Sequence, residues 1–409
     1  MNAAALRTEP PRGARAVQLI VVLGAVNAIG PLSIDMYLPA FPEIAREFDT
    51  GASHVQLTLT ACLLGLAFGQ LLIGPLSDRF GRRIPLITAL VTYSLASLLC
   101  TYASSVGSLI GLRFVQGLAG AGGLVISRAV VRDMHTGAAA VRLFSSLMLV
   151  TGLAPILAPI AGGQLLKVTS WEGIFVVLSI VSALIAVLAA LGLRETLPAE
   201  RRTTSGLRRT VRTMAALLRD HSFLGNALAS GLTFGALFAY ISASSFVLQS
   251  IYGLSPQEFS LVFGMNGLGL IAASQVSSRL VEHLGPTRLL RRALVCVVTA
   301  ALCLLVVVSV GGLTVWAVLV PMFVIVSSLA FVIPNATALA LADHATVAGT
   351  ASALLGVIQF LFGAISAPLV GLAGPDTAVP MGVVMATMAI GALTAQRLTG
   401  KRQRGRLAL

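Results

Sequence analysis

Charge is what this sequence has least of. Only 11% of its 409 residues are Asp, Glu, Lys or Arg, against about 25% in an average soluble chain. Hydrophobic residues make up 56%, and the mean hydropathy is +0.93. Two or three soluble domains are thereby excluded. No GxxxxGK[ST] stretch occurs, so the phosphate-cradling loop of an ATP-driven pump is missing. Cysteine is scarce too. Cys62, Cys100, Cys296 and Cys303 lie in or at the ends of apolar runs without CxxC spacing. They read as small buried hydrophobes, and neither a metal site nor a cofactor is expected. With no His/Cys cluster or activated nucleophile in the apolar runs, an enzyme is not expected either. No cleavable signal peptide is expected. The first apolar run, from near Ala16 past Pro39, exceeds a signal h-region of about 7–15 residues and reads as a span.

Long apolar runs are what the chain has instead. They fall at roughly 16–42, 54–76, 84–103, 107–130, 141–166 and 172–193, then at 222–248, 257–280, 289–310, 313–341, 347–371 and 378–396. Each approaches or exceeds the ~20 residues that cross a bilayer as helix. The expected fold is an all-α membrane protein of twelve transmembrane helices. The polar stretch RETLPAERRTTSGLRRTVRTMAALLRDHS divides them six and six, giving a first bundle over 1–193, a linker over 194–221 and a second bundle over 222–409. Residues 207–219 can form a basic amphipathic helix on the membrane surface. The loops GPLSDRFGRR (74–83) and SRLVEHLGPT (278–287) align Asp78 with Glu282 and Gly81 with Gly285, a faint trace of an internal repeat.

The net charge of +13 raises the question of nucleic acid, and the positions of the charges answer it. With the N-terminus inside, every Lys and Arg except Arg46, Lys167 and Arg113 falls on the inner side. That is a topology signal and an attraction to anionic inner-leaflet lipid. No nucleic-acid partner is expected.

Asp35 and Arg113 are the charges well inside apolar runs, where charge is costly and marks function or a buried pair. Counted from the nearest outer ends, Asp35 is ~10 Å deep and Arg113 ~12 Å, at 1.5 Å per helical residue. The two can therefore face one polar cavity. One reading is a structural ion pair. The other is proton coupling, in which the carboxylate loads and releases a proton and Arg113, with no practical neutral form, tunes it. Gln116 follows Arg113 on the same helix face and offers either a cavity contact or an interhelical hydrogen bond. Asn27, Tyr37, Gln116, Tyr240, Asn266 and Gln359 interrupt apolar runs. Together they fit a substrate cavity of mostly apolar walls with scattered polar anchors.

Gly74, Asp78, Arg79, Gly81, Arg82 and Arg83 of GPLSDRFGRR stand at the spacing of the loop motif between helices 2 and 3 of the major facilitator superfamily, which the chain resembles. The resemblance implies a conformational latch there. Arg113, Gln116 and Gly117 in RFVQGLAGA resemble that superfamily's proton-coupling motif. GLAPILAPIAGGQLL, with Gly152, Pro155, Pro159, Gly162 and Gly163, resembles the motif of its drug/proton antiporter branch. IDMYLPAFP and SRAVVRDMH resemble the Bcr/CflA group of drug-resistance exporters, whose members usually carry an acid in the place of Asp35. The resemblance implies two six-helix bundles around a central cavity and a monomer in the cytoplasmic membrane with both termini cytoplasmic. Its implied activity is proton-coupled efflux of a bicyclomycin-like or chloramphenicol-like molecule. A proton symporter or facilitator of a small metabolite is the alternative.

Overall fold

A computed structural model describes residues 14–134, 152–202, 207–312, 314–344, 347–372, 374 and 377–407. Among these residues the chain is helical with no strand. Eleven helices are long and apolar enough to cross a membrane. The span expected over 141–166 is described as a shorter apolar helix, α6 (Gly152–Leu165), and the rest of that run lies outside the described residues.

The first span is broken, where the hydropathy pattern predicts one continuous helix. It consists of α1 (Ala14–Asp35), a 3₁₀ turn (Leu38–Ala40) and α2 (Phe41–Glu47). Pro39 and Pro42 explain the break, since neither has an N–H for the helical ladder. There follow α3 (Ala52–Phe80), α4 (Arg83–Cys100), α5 (Val106–Met134), α6 and α7 (Trp171–Gly192). After α8 (Leu207–Arg219) come α9 (His221–Phe246), α10 (Pro256–Leu284), α11 (Pro286–Val310), α12 (Val315–Leu341), α13 (Ala348–Leu369) and α14 (Val379–Leu407). Local sequence sets several starts. Asp220 caps α9 by accepting from the Ser222 and Phe223 amides. Ser255 and Glu258 form a capping box on α10, with Pro256 in the first turn, where a missing N–H costs nothing.

In the first half α5 packs on α1, α3 and α4, and α7 packs on α1 and α4. In the second half α9 packs on α12, α13 and α14, and α11 on α12 and α14. The faint repeat is real at its turns. Gly81 ends α3 at φ 91° and ψ 174°, and Gly285 ends α10 at φ 73° and ψ 155°. Both hold the positive φ that side chains resist, and each hands one helix to the next.

The end of the molecule carrying the α3–α4 loop and α8 is here called the basic face. α8 does not simply lie on a membrane surface. Leu217 is buried against Phe223, Ala227 and Leu354, with Met214 beside it, so α8 docks on the second half. Cysteine burial also differs from expectation. Cys62 and Cys100 are buried, but Cys296 and Cys303 lie exposed on α11, and all four are free thiols. On an apolar helix with no water around it, such a thiol is as acceptable as any small hydrophobe.

Candidate functional site

Arg113 on α5 is fully buried. Its Nη2 donates to the Ser33 carbonyl at 2.8 Å, and its Nη1 donates to Gln116 Oε1. Its Cζ lies 4.2 Å from the Tyr37 ring centroid and 5.6 Å from that of Phe175, both within cation–π range. Gln116 passes the chain on, its Nε2 donating to Ser97 Oγ at 2.6 Å. Ser33 Oγ bonds the Tyr93 hydroxyl, and the Tyr37 hydroxyl meets Thr58 Oγ1 at 3.1 Å. Tyr37 and Gln116 take part in this knot inside the first half. The ion pair of Arg113 with Asp35, one of the two readings, is absent among the described residues. Helix geometry supplies the reason. Ser33 turns into the first half, while Asp35, two residues further along α1, is carried about 200° around the helix axis.

Asp35 is 4% exposed, and its Oδ1 has no hydrogen-bond partner. It is the last residue of α1, at the break in the first span. Tyr240 is stacked on Phe263 and accepts from Asn266 Nδ2 at 2.8 Å. Tyr240 and Asn266 are thus joined to each other within the second half. Asn27 is buried on α1. Gln359 is elsewhere, donating to Ser230 Oγ at 2.7 Å within the second half.

The halves touch far from the basic face. Five side-chain hydrogen bonds join them there: Gln56 to the Ser242 carbonyl (3.3 Å), Thr60 to Ala364 (3.0 Å), Ser245 to Leu38 (2.6 Å), Gln249 to Pro39 (3.1 Å) and Gln257 to Gly163 (2.7 Å). The α6 glycines permit close approaches: within the first half a Cβ on Gly162 would overlap the Met36 carbonyl oxygen beside Asp35, and across the halves one on Gly163 would overlap Ser260 Oγ of α10. Pro155 and Pro159 lie in the described helix α6, and a Cβ on Gly152 at its start would meet nothing. Toward the basic face the halves part around a cavity of about 270 Å³. Gln70, Gly74, Asp78 and Arg82 line one side, and Gly349 and Thr350 of α13 line the other.

Arg82, not Asp78, is the hub of the α3–α4 loop. It is 7% exposed and bonds Asp78 Oδ1 at 2.6 Å, Asp133 Oδ2 at 2.9 Å and Ser77 Oγ at 2.8 Å. These carboxylates outweigh the cost of burial and hold its pKa above the ordinary arginine value. Arg83 reaches the Ala190 carbonyl at 2.6 Å, and the Arg79 guanidinium lies over the Phe80 ring. Glu195, just beyond α7, escaped the motif reading. Its carboxylate accepts from the amides of Arg82 (2.8 Å), Arg83 (3.2 Å), Thr196 (2.9 Å) and Leu197 (2.9 Å). A Cβ on Gly81 would strike it, so glycine there serves both the turn and this contact. Asp133 was within reach of sequence reasoning, because it stands in SRAVVRDMH; Glu195 lay in what read as a solvated linker.

Partial burial works against the Glu195 carboxylate, yet the four amides prevail and hold its pKa below the usual glutamate value. Its contribution to stability is therefore complete above the unfolded value of ~4.3 and is lost as pH falls from there through the lowered native value. Glu195→Gln is expected to cost roughly 1 kcal/mol at neutral pH, discounted for partial exposure from the ~1.5–3 of a buried charged hydrogen bond. Thermal unfolding in detergent at pH 7 and pH 3 checks this. The gap between variant and parent should shrink at the lower pH.

Residues 23–368 match the Major Facilitator Superfamily. The chain is 43% identical to a Bacillus subtilis (strain 168) protein called an uncharacterized MFS-type transporter, YdgK, covering 96% of this chain and 98% of that one. It is 36% identical to a bicyclomycin resistance protein homolog of Haemophilus influenzae, covering 95% and 97%. A chloramphenicol resistance protein of Pseudomonas aeruginosa is 29% identical over 94% and 92%. Among solved structures, a bacterial homolog of the human lysosomal transporter Spinster, inward-facing and unoccupied, superposes with a TM-score of 0.76 at 14% identity, covering 96% of this chain and 99% of that one. At that identity the likeness concerns the fold. With eleven membrane-length apolar helices and a shorter one among the described residues, a family match over most of its length and relatives alike from end to end, the chain is a multi-pass membrane transport protein and belongs to the Major Facilitator Superfamily.

Proposed function

We propose that this transporter exports a drug-like small molecule from the cytoplasm in exchange for protons. The observation that carries the reading is Asp35, a buried carboxylate with an unpartnered oxygen at the break in the first span. Such a group takes a proton when open to one side of the membrane and yields it, or yields to a substrate, when open to the other. Tyr240, Asn266 and Gln359 are the polar anchors assigned to the substrate, with Asn27 on the same helix as Asp35. Arg113 serves coupling by holding α1 at Ser33.

The basic face is assigned to the cytoplasm of a cell membrane, with both termini there and the protein working as a monomer. The cavity then opens inward. Asp78 stands across it from Gly349 and Thr350, at the N-terminal end of α13. Closing it brings a carboxylate to the positive end of a helix dipole, which is how the latch formed by Gly74, Asp78, Arg79, Gly81, Arg82 and Arg83 favours the outward-facing form. The helix carrying Gly152, Pro155, Pro159, Gly162 and Gly163 slides against α1 and α10 during the change. Relatives named for bicyclomycin and chloramphenicol resistance make those compounds the first to test.

The test is susceptibility of an efflux-deficient host with and without the protein, followed by proton flux in proteoliposomes on drug addition. Protons moving opposite to drug support the reading. Movement with the substrate replaces antiport by symport, and no movement with any compound in the panel overturns it.

A further inference from the structure

Prolines in the first span leave main-chain acceptors short of donors at one particular place. In a continuous helix the Leu38 carbonyl would accept from the amide of residue 42, but Pro42 has no N–H. The same proline removes the tighter, 3₁₀-type donor for the Pro39 carbonyl. Within the span Leu38 receives only the short bond from the Phe41 amide. Buried carbonyls with open lone pairs are costly, the more so at membrane depth.

Donors come from the other half. Ser245 on α9, fully buried, donates its hydroxyl to the Leu38 carbonyl at 2.6 Å. Gln249 lies in the π turn Val247–Ile251 that continues α9. Its amide donates to the Pro39 carbonyl at 3.1 Å and to Ser245 Oγ at 2.7 Å. Both amide hydrogens and the hydroxyl hydrogen are thus used, and none is shared. Phe41 and Phe246 pack beside the contact with ring centroids 5.9 Å apart.

We propose that Ser245 and Gln249 form a clasp that holds shut the face remote from the basic loops, by donating to the Leu38 carbonyl, which Pro42 leaves without its α-helical donor, and to the neighbouring Pro39 carbonyl, which Pro42 leaves without its 3₁₀ donor. Because the acceptors are main chain, substitution in the first span does not remove them. The closed state depends on the two donors. When the halves part at this face, the carbonyls pass from protein donors to water, so the exchange is nearly balanced and the clasp is reversible. The role differs from that of the latch, which acts at the basic face, and from that of Asp35, which the clasp does not touch.

The experiment places nitroxide labels at the exposed positions Arg46 and Leu261, on the full chain freed of other cysteines, and reads the distance distribution by pulsed electron resonance. Ser245→Ala combined with Gln249→Met removes all three donor hydrogens while nearly keeping volume. It is expected to raise the ratio of long-distance to short-distance forms about tenfold, or ~1.4 kcal/mol. Gln249→Met alone is expected to move it the same way by less. If the double variant fails to fold, the single variant, whose side chain is only partly buried, decides. A distribution unchanged from the parent at matched folded yield overturns the clasp. The distances are read without drug or proton gradient. Failed export therefore leaves a positive result standing, and an unchanged distribution leaves the export reading untouched.

Discussion

Asp35→Asn is expected to abolish proton-driven export while the protein still folds and inserts. The substitution keeps the shape of the side chain and removes its ability to exchange a proton. Asp35 forms no ion pair among the described residues, and its Oδ1 has no partner, so the amide breaks little at that oxygen. Neutralising a buried group that lacks a counter-charge also removes a desolvation burden, so thermal stability should hold or rise. The measurement is drug-stimulated proton flux in proteoliposomes, alongside equilibrium drug binding. Flux should fall to the level of empty vesicles, with binding weakened and not lost if Tyr240 and Asn266 keep their contacts. Parental flux from the asparagine variant would remove Asp35 from the mechanism.

Arg113→Ala is expected to be the most destabilising single change in the first half. The deletion strips a fully buried side chain, and large-to-small core substitutions cost ~2–5 kcal/mol. It also leaves the Gln116 carbonyl group without its guanidinium donor and removes the donor to the Ser33 carbonyl, each loss worth roughly 1–3 kcal/mol when the group stays buried. A low folded yield is the outcome, and activity in that variant says little. Arg113→Lys carries the information. It keeps the charge and the stem but loses the planar fork, so one ammonium cannot serve Ser33 and Gln116 in the same geometry. This variant is expected to fold, with a lowered melting temperature, and to transport at a small fraction of the parental rate. Unfolding in detergent and transport at matched protein amounts check both halves of the statement. Full transport by the lysine variant would mean that charge alone suffices and that the grip on Ser33 is incidental.

Reading the apolar runs as spans succeeded because each helix in lipid must satisfy its own backbone, so length and hydropathy decide it locally. Most span ends agree with the helices to within about four residues; the last helix runs on to Leu407. The broken first span was legible only in part. Pro39 and Pro42 announce a break, but helices tolerate some prolines, as Pro31 inside α1 and Pro321 and Pro334 inside α12 demonstrate. What separates the cases is whether neighbouring elements re-satisfy the freed carbonyls, and those neighbours lie some two hundred residues away in the chain.

The α3–α4 loop shows the same limit. Its motif picked out Arg82 and Asp78 by spacing, and the i, i+4 bond between them follows from helix geometry. Asp133 and Glu195 join them from α5 and from beyond α7, at separations of fifty and more than a hundred residues. Nothing local to Glu195 distinguishes it from the other acids of a polar linker.

By itself, then, the sequence determined that this is a helical membrane protein and roughly where most of its spans lie, and it singled out Asp35 and Arg113 as charges well inside apolar runs. Those are properties of composition and of position along a helix. Only the tertiary structure decided which way each charge points. Azimuth on a helix is set by packing against partners distant in sequence: Arg113 holds the Ser33 carbonyl and lies over the Tyr37 ring, while Asp35, two residues from each, has no ion pair among the described residues.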